Sequence, residues 1–167
     1  MIFRNRPRTI LQSALYIAIV GIVAAVLLER LLTLAEAAEK AAMEATVSRL
    51  QAALYAKTAL LALRGEYAAI DALANQSPFL IVAAKASNYL GEFDGLPPEG
   101  VEGGNWLFDR VRAELVYVPN LTRFLSGGSD DPVPAIRFRI EVRKTTRHAY
   151  VGVGLTPVNG YRWEPGT

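Results

Sequence analysis

ILQSALYIAIVGIVAAVLL, residues 10–28, is the stretch whose reading decides the fold. Its nineteen residues hold only Gln12, Ser13 and Tyr16 as polar side chains. At about 1.5 Å per residue they reach roughly 28 Å, close to the hydrocarbon thickness of a bilayer. A segment in hydrocarbon must satisfy its own backbone hydrogen bonds, which makes this run a helix and not a strand. Arg4, Arg6 and Arg8 precede it, and Glu29 and Arg30 follow it. The arginines at the near end predict a cytoplasmic N-terminus, with everything after Arg30 on the far side of the membrane. A cleaved signal peptide competes, with Ala35-Glu36-Ala37 as its small-residue cut site. Its apolar core would exceed the usual ~7–15 residues, and the helical pattern runs on past that site. A single-pass anchor is the better reading.

Working outward, residues 1–9 form a cytoplasmic basic segment, 10–28 a transmembrane helix and 29–64 its extracytoplasmic continuation. Leu31 to Arg64 contains neither proline nor glycine and is rich in alanine and leucine, which favours an unbroken helix. Met43, Val47, Leu50, Leu54 and Leu61 fall at helical spacings and form one apolar stripe. Glu36, Glu39, Lys40, Glu44, Arg49 and Lys57 largely take the other positions. Gly65 follows Arg64, the pairing expected at a helix end. The whole predicts a rod of roughly 55 residues, on the order of 80 Å. A strand of five or six residues spans only ~17–20 Å, so the stripe is longer than one small sheet can cover. Met43 and Val47 are therefore expected to remain uncovered as a contact between subunits.

Residues 65–105 read as a helix and loop connection, with a short helix over 66–74 and a glycine- and proline-rich loop over 87–105. Residues 106–167 read as a β-sheet region. Ile136, Phe138, Ile140 and Val142 alternate with Arg137, Arg139, Glu141 and Arg143, which predicts a strand with one wet face. Val151, Val153 and Leu155 alternate with Gly152, Gly154 and Thr156, and Asn159-Gly160 predicts a turn into Tyr161-Arg162-Trp163. The fold class is α+β: a long N-terminal helix, membrane-spanning in its first half, packed on a small C-terminal antiparallel sheet.

Composition narrows the function. Arg4, Arg6, Arg8 and Arg30 against Glu29 leave +3 in the first thirty residues, so the rest of the chain carries −1 of the formal +2. A nearly neutral external domain has no electrostatic footprint for nucleic acid. The chain has no cysteine, which excludes disulfides, thiolate nucleophiles and cysteine metal sites. No phosphate loop, nucleophile elbow or acid–base pair is visible, and no cofactor or enzymatic activity is expected. Asp130 and Asp131 in Ser126-Gly127-Gly128-Ser129-Asp130-Asp131 are weak calcium candidates, since their spacing matches no EF-hand. Arg137, Arg139 and Arg143 form a row that suits either a partner or solvent. His148 is the only histidine and lacks an evident partner in sequence. Gln12, Ser13 and Gly21 are the candidates for packing inside the membrane, because polar and small side chains there commonly face another protein.

Several strings together resemble the type IV pilins and the pseudopilins of type II secretion. Residues 17–25, IAIVGIVAA, match the family's membrane segment, and Thr9-Ile10-Leu11 stands in register with its Thr-Leu-Ile opening. Asn75 to Pro78, Asn88-Tyr89-Leu90-Gly91-Glu92, Trp106-Leu107-Phe108-Asp109 and Leu115-Val116-Tyr117 resemble the external half of some minor pilin-like proteins. The resemblance implies a bacterial inner-membrane protein with a periplasmic domain, incorporated in a pilus or pseudopilus. Its implied partners are the lipid bilayer and other pilin-like subunits or assembly-platform proteins. It also implies a degenerate processing site. Pro7 stands where the family has the glycine before the peptidase cut, and Arg8 where it usually has phenylalanine. Gln12 replaces the glutamate that pairs with a neighbouring subunit's terminal amine, and it cannot supply that charge. The alternative is a permanently anchored adaptor or ligand-binding protein that never enters a filament.

Overall fold

The computed structural model describes residues 7–81, 86–95, 100–127, 134–144 and 150–165. One helix, α1 (Pro7–Leu63), opens the chain, and two compact units divide within it between Ala35 and Glu36. In the first unit every residue from Leu11 is exposed to solvent up to Leu32. The helix is long and apolar enough to cross a membrane. A helix that is apolar all round and uncovered by its own chain has no amphipathic face to bury in a soluble core.

The second unit is an α+β domain. After α1 come α2 (Tyr67–Ala72), a 3₁₀ turn (Leu73–Asn75) and α3 (Pro78–Ile81). The strands are β1 (Tyr89–Phe93), β2 (Asn105–Asp109), β3 (Glu114–Val118), β4 (Leu125–Gly127), β5 (Ile136–Lys144), β6 (Tyr150–Pro157) and β7 (Tyr161–Trp163). Five form one sheet in the order β1-β2-β3-β5-β6, and β4 pairs with β7 in a second. All pairs are antiparallel except β1 with β2. The helix ends as its sequence predicts. Gly65 takes φ 73°, its N–H donates to the Ala62 carbonyl, and the Glu66 N–H donates to that of Leu61. Those two bonds are the Schellman closure, which satisfies carbonyls that the last turn leaves open.

Met43, Leu50, Leu54 and Leu61 bury their side chains with Trp106, Phe108, Leu115, Tyr117, Ile136, Phe138, Ile140, Val153 and Leu155 in one core. The Trp106 and Tyr117 rings meet at 4.7 Å in the middle of it. Met43 is 1% exposed, and Val47 is half-buried against the same core. This corrects the expectation that they form a subunit contact. Five strands laid side by side cover more of the helix than the length of any one strand allows.

The back of the sheet differs from expectation too. Leu107, Val116, Val118 and Ala135 form a second buried cluster, against which Phe93 and Val101 pack. The reason is β1, a strand inside the segment read as loop. Parallel pairing with β2 requires a crossover connection, and Val101, before β2, packs on the back face with Phe93. Asn159-Gly160 does not fold β7 back onto β6. The Asn159 side chain donates to the Ala135 carbonyl and accepts from the Arg137 N–H, while β7 joins β4.

Leu54 has 0% exposure at the centre of the core. Leu54→Ala should cost about 2–5 kcal/mol, a large part of a small domain's ~5–15 kcal/mol, and lower the melting temperature of the full chain in detergent. Glu44→Ala removes an i,i+4 pair between exposed Glu44 and half-buried Lys40 and should shift stability by less than about 1 kcal/mol. Met43→Glu should unfold the domain, because the carboxylate would enter the core without a partner.

Candidate functional site

Gln12, Ser13 and Gly21 lie on the exposed first part of α1, but not on one face. Gly21 is about two and a half turns beyond Gln12 and therefore points to the opposite side. An added Cβ at Gly21 would meet nothing within 4 Å. Pro7 and Arg8 supply the first residues of the helix backbone. Asp130, Asp131 and His148 lie outside the described residues. Among the described residues, no cluster of three or more acidic, histidine or cysteine side chains could hold a metal ion.

The second unit shows which residues seat α1. Glu36 is 2% exposed, and its Oε1 accepts the Phe124 N–H at 2.9 Å and the Trp163 indole N–H at 2.8 Å. Glu39 accepts the Tyr117 hydroxyl at 2.9 Å and the backbone N–H of Asn120 at 2.6 Å on Oε1, and the Leu121 N–H at 3.0 Å on Oε2. The two carboxylates thus hold the segment that leaves β3 and the one that enters β4. A buried carboxylate is tolerable only when such donors replace its water. By spacing alone both glutamates fall among the polar positions of the helix. Yet Glu36, Met43 and Leu50 stand seven residues apart in succession, so Glu36 belongs to the stripe itself.

Seated this way, α1 turns Ala38, Ala41, Ala45, Ala52, Ala56 and Ala59 to solvent on its far side. Small side chains let another helix approach closely. This alanine face lies on the side of α1 away from Met43 and Val47.

The arginine row resolves into separate roles. Arg137 is 4% exposed, which corrects the wet-face reading at this position. Asp109 and Glu114 stand directly opposite each other across β2 and β3, an unfavourable like-charge pair. Arg137 Nη1 lies 3.2 Å from Glu114 Oε2 and 3.7 Å from Asp109 Oδ2, and Arg139 Nη2 bonds Glu114 Oε1 at 2.6 Å. Asp109 Oδ1 also accepts the N–H groups of Val111 and Arg112, shaping the β2–β3 turn. The four charges compensate one another, and the cluster fastens strands together. Arg143 is exposed near the end of β5.

No protein-family model, curated protein or solved structure matches this chain.

Burial raises the Tyr117 phenol well above its ordinary value, and the bond to Glu39 and that carboxylate's charge raise it further. Tyr89 and Tyr161 are also raised, chiefly by burial. Below about pH 10 both folded and unfolded phenols are neutral. Above it the unfolded chain ionises first, so stability should fall as pH climbs toward the folded values. Tyr117→Phe should lower stability at neutral pH by about 1.5–3 kcal/mol, the worth of a hydrogen bond to a charged group. It should also make the alkaline decline shallower. Urea unfolding at pH 7 to 11 reads both effects.

Proposed function

We propose that this chain is a pilin-like structural or assembly subunit, anchored in the bacterial inner membrane, that acts by helix packing and not by catalysis. One observation carries the reading: α1 is exposed on every side from Leu11 to Leu32 and almost wholly apolar as far as Leu28, in a helix whose later turns seat an α+β domain. The resemblance of residues 9–25 and of the external strings to pilins supports it from sequence. The arginines before the apolar run favour a cytoplasmic N-terminus and a periplasmic domain. In this reading the first part of α1 lies in lipid against related helices, and the alanine face of the second part adds contacts outside the bilayer.

Pro7, Arg8 and Gln12 favour a second reading, a permanently anchored adaptor that keeps its N-terminus. Proline at the cut restricts the backbone and removes an N–H. Intact mass of the protein from its native host separates the two. A chain beginning at Met1 or Ile2 supports permanent anchoring, whereas one beginning at Arg8 with a methylated amine supports processing.

Photo-crosslinkers at Ala25 and Ala45 should join the chain to pilin-like subunits in cells that make the apparatus, with the partners identified by peptide mass spectrometry. Recovery of monomer alone would contradict the proposal.

A further inference from the structure

Among the described residues, the outermost strand β6 has one side without a neighbouring strand in its sheet. Such an edge offers backbone N–H and C=O groups to any other extended chain. In an antiparallel ladder alternate residues turn these groups toward the neighbouring strand. Val153 and Leu155 turn theirs away from β5, toward α1. Gln51 Nε2 donates to the Val153 carbonyl at 3.3 Å, and the Leu155 N–H donates to Gln51 Oε1 at 2.6 Å. A carboxamide carries the donor and acceptor of a peptide group. Gln51 therefore makes, around Gly154, the two bonds that one residue of an added parallel strand would make.

We propose that Gln51 is an edge guard, a side-chain substitute for a sixth strand that keeps β6 from pairing with β6 of a second copy of this chain. A second copy is the occupant to exclude because it presents the same outward backbone groups. Steric protection is weak here. Gly152 and Gly154 have no side chains, and an added Cβ at Gly152 would meet nothing within 4 Å. Beside them runs a groove of about 320 Å³ between Gln51 and Tyr55 on α1 and Gly152 to Thr156 on β6. Pro157, which has no N–H, blunts one end of the edge. Gln51 closes the middle, where alternating glycines would leave the backbone open.

The test uses the full chain in detergent micelles and compares wild type with Gln51→Leu, which keeps the bulk but makes neither bond. Backbone amide exchange at Leu155 should speed up about tenfold, the factor corresponding to 1.4 kcal/mol, within the range for a lost hydrogen bond. Val116, in the central strand, should keep its rate and so report an intact fold. Because the chain has no cysteine, Gly154→Cys provides a single cross-linking site. Its added Cβ would lie 3.8 Å from Gln51 Nε2, an ordinary contact. Disulfide-linked dimer should rise several-fold when Gln51→Leu is combined with Gly154→Cys. An unchanged Leu155 rate, or faster exchange without more dimer, overturns the proposal. If Val116 exchange also rises, Gln51→Glu takes its place, retaining the acceptor for Leu155 but losing the donor to Val153. Dimer above that of Gly154→Cys with Gln51 intact then supports the guard, and dimer at that level overturns it.

Discussion

The seating of α1 on the sheet is the interaction on which the rest of this structure depends. Apolar burial along Met43, Leu50, Leu54 and Leu61 supplies the driving force, but it is non-directional and tolerates sliding. The carboxylates of Glu36 and Glu39 remove that freedom. Each has specific donors on the segments around β3, β4 and β7, and a shift of one turn would strand charge in the core. Gln51 adds a third directional point, farther along the helix, on β6. Polar contacts thus set the register, and apolar burial makes it stable. Which residues of α1 face outward follows from that register, including the alanine face.

The sheet carries a second solution to the same kind of problem. Its back face would be half wet in a simple antiparallel meander. Instead Phe93, at the end of the parallel strand β1, and Val101 beyond it pack on Leu107 and Val116, and Arg137 is buried on the same sheet. A buried arginine is costly alone, and the opposed pair Asp109 and Glu114 is costly alone. Together they offset one another, and removal of either side would leave uncompensated buried charge. Ion pairing here is the condition for burial, not an added source of affinity.

Much of this was legible in the chain. The apolar run, the helix end at Arg64-Gly65 and the alternation of β5 are local patterns, and the helix end recurs in the structure, as does the alternation from Phe138 onward. What escaped depends on distant partners. Glu36 looks like surface charge until Phe124 and Trp163 come to meet it. Arg137 looks wet until Asp109 and Glu114 are placed beside it. Tyr89 to Phe93 is short and interrupted by Gly91, so only its pairing with β2 makes it a strand. One strand's length leaves Met43 and Val47 uncovered, whereas the covering surface is the width of a five-stranded sheet.

A single-cysteine accessibility scan along α1, in native membranes, tests the account most directly. The absence of native cysteine makes each substitution a clean probe. Ala45→Cys and Ala52→Cys should react with a polar maleimide in dissociated, detergent-free membrane fragments open on both sides. Leu54→Cys should react only after denaturant is added, and Ala18→Cys only after the bilayer is dissolved. Rapid labelling of Ala18→Cys in intact bilayers would contradict the membrane span. Labelling of Leu54→Cys as fast as Ala45→Cys would contradict the seating of the helix.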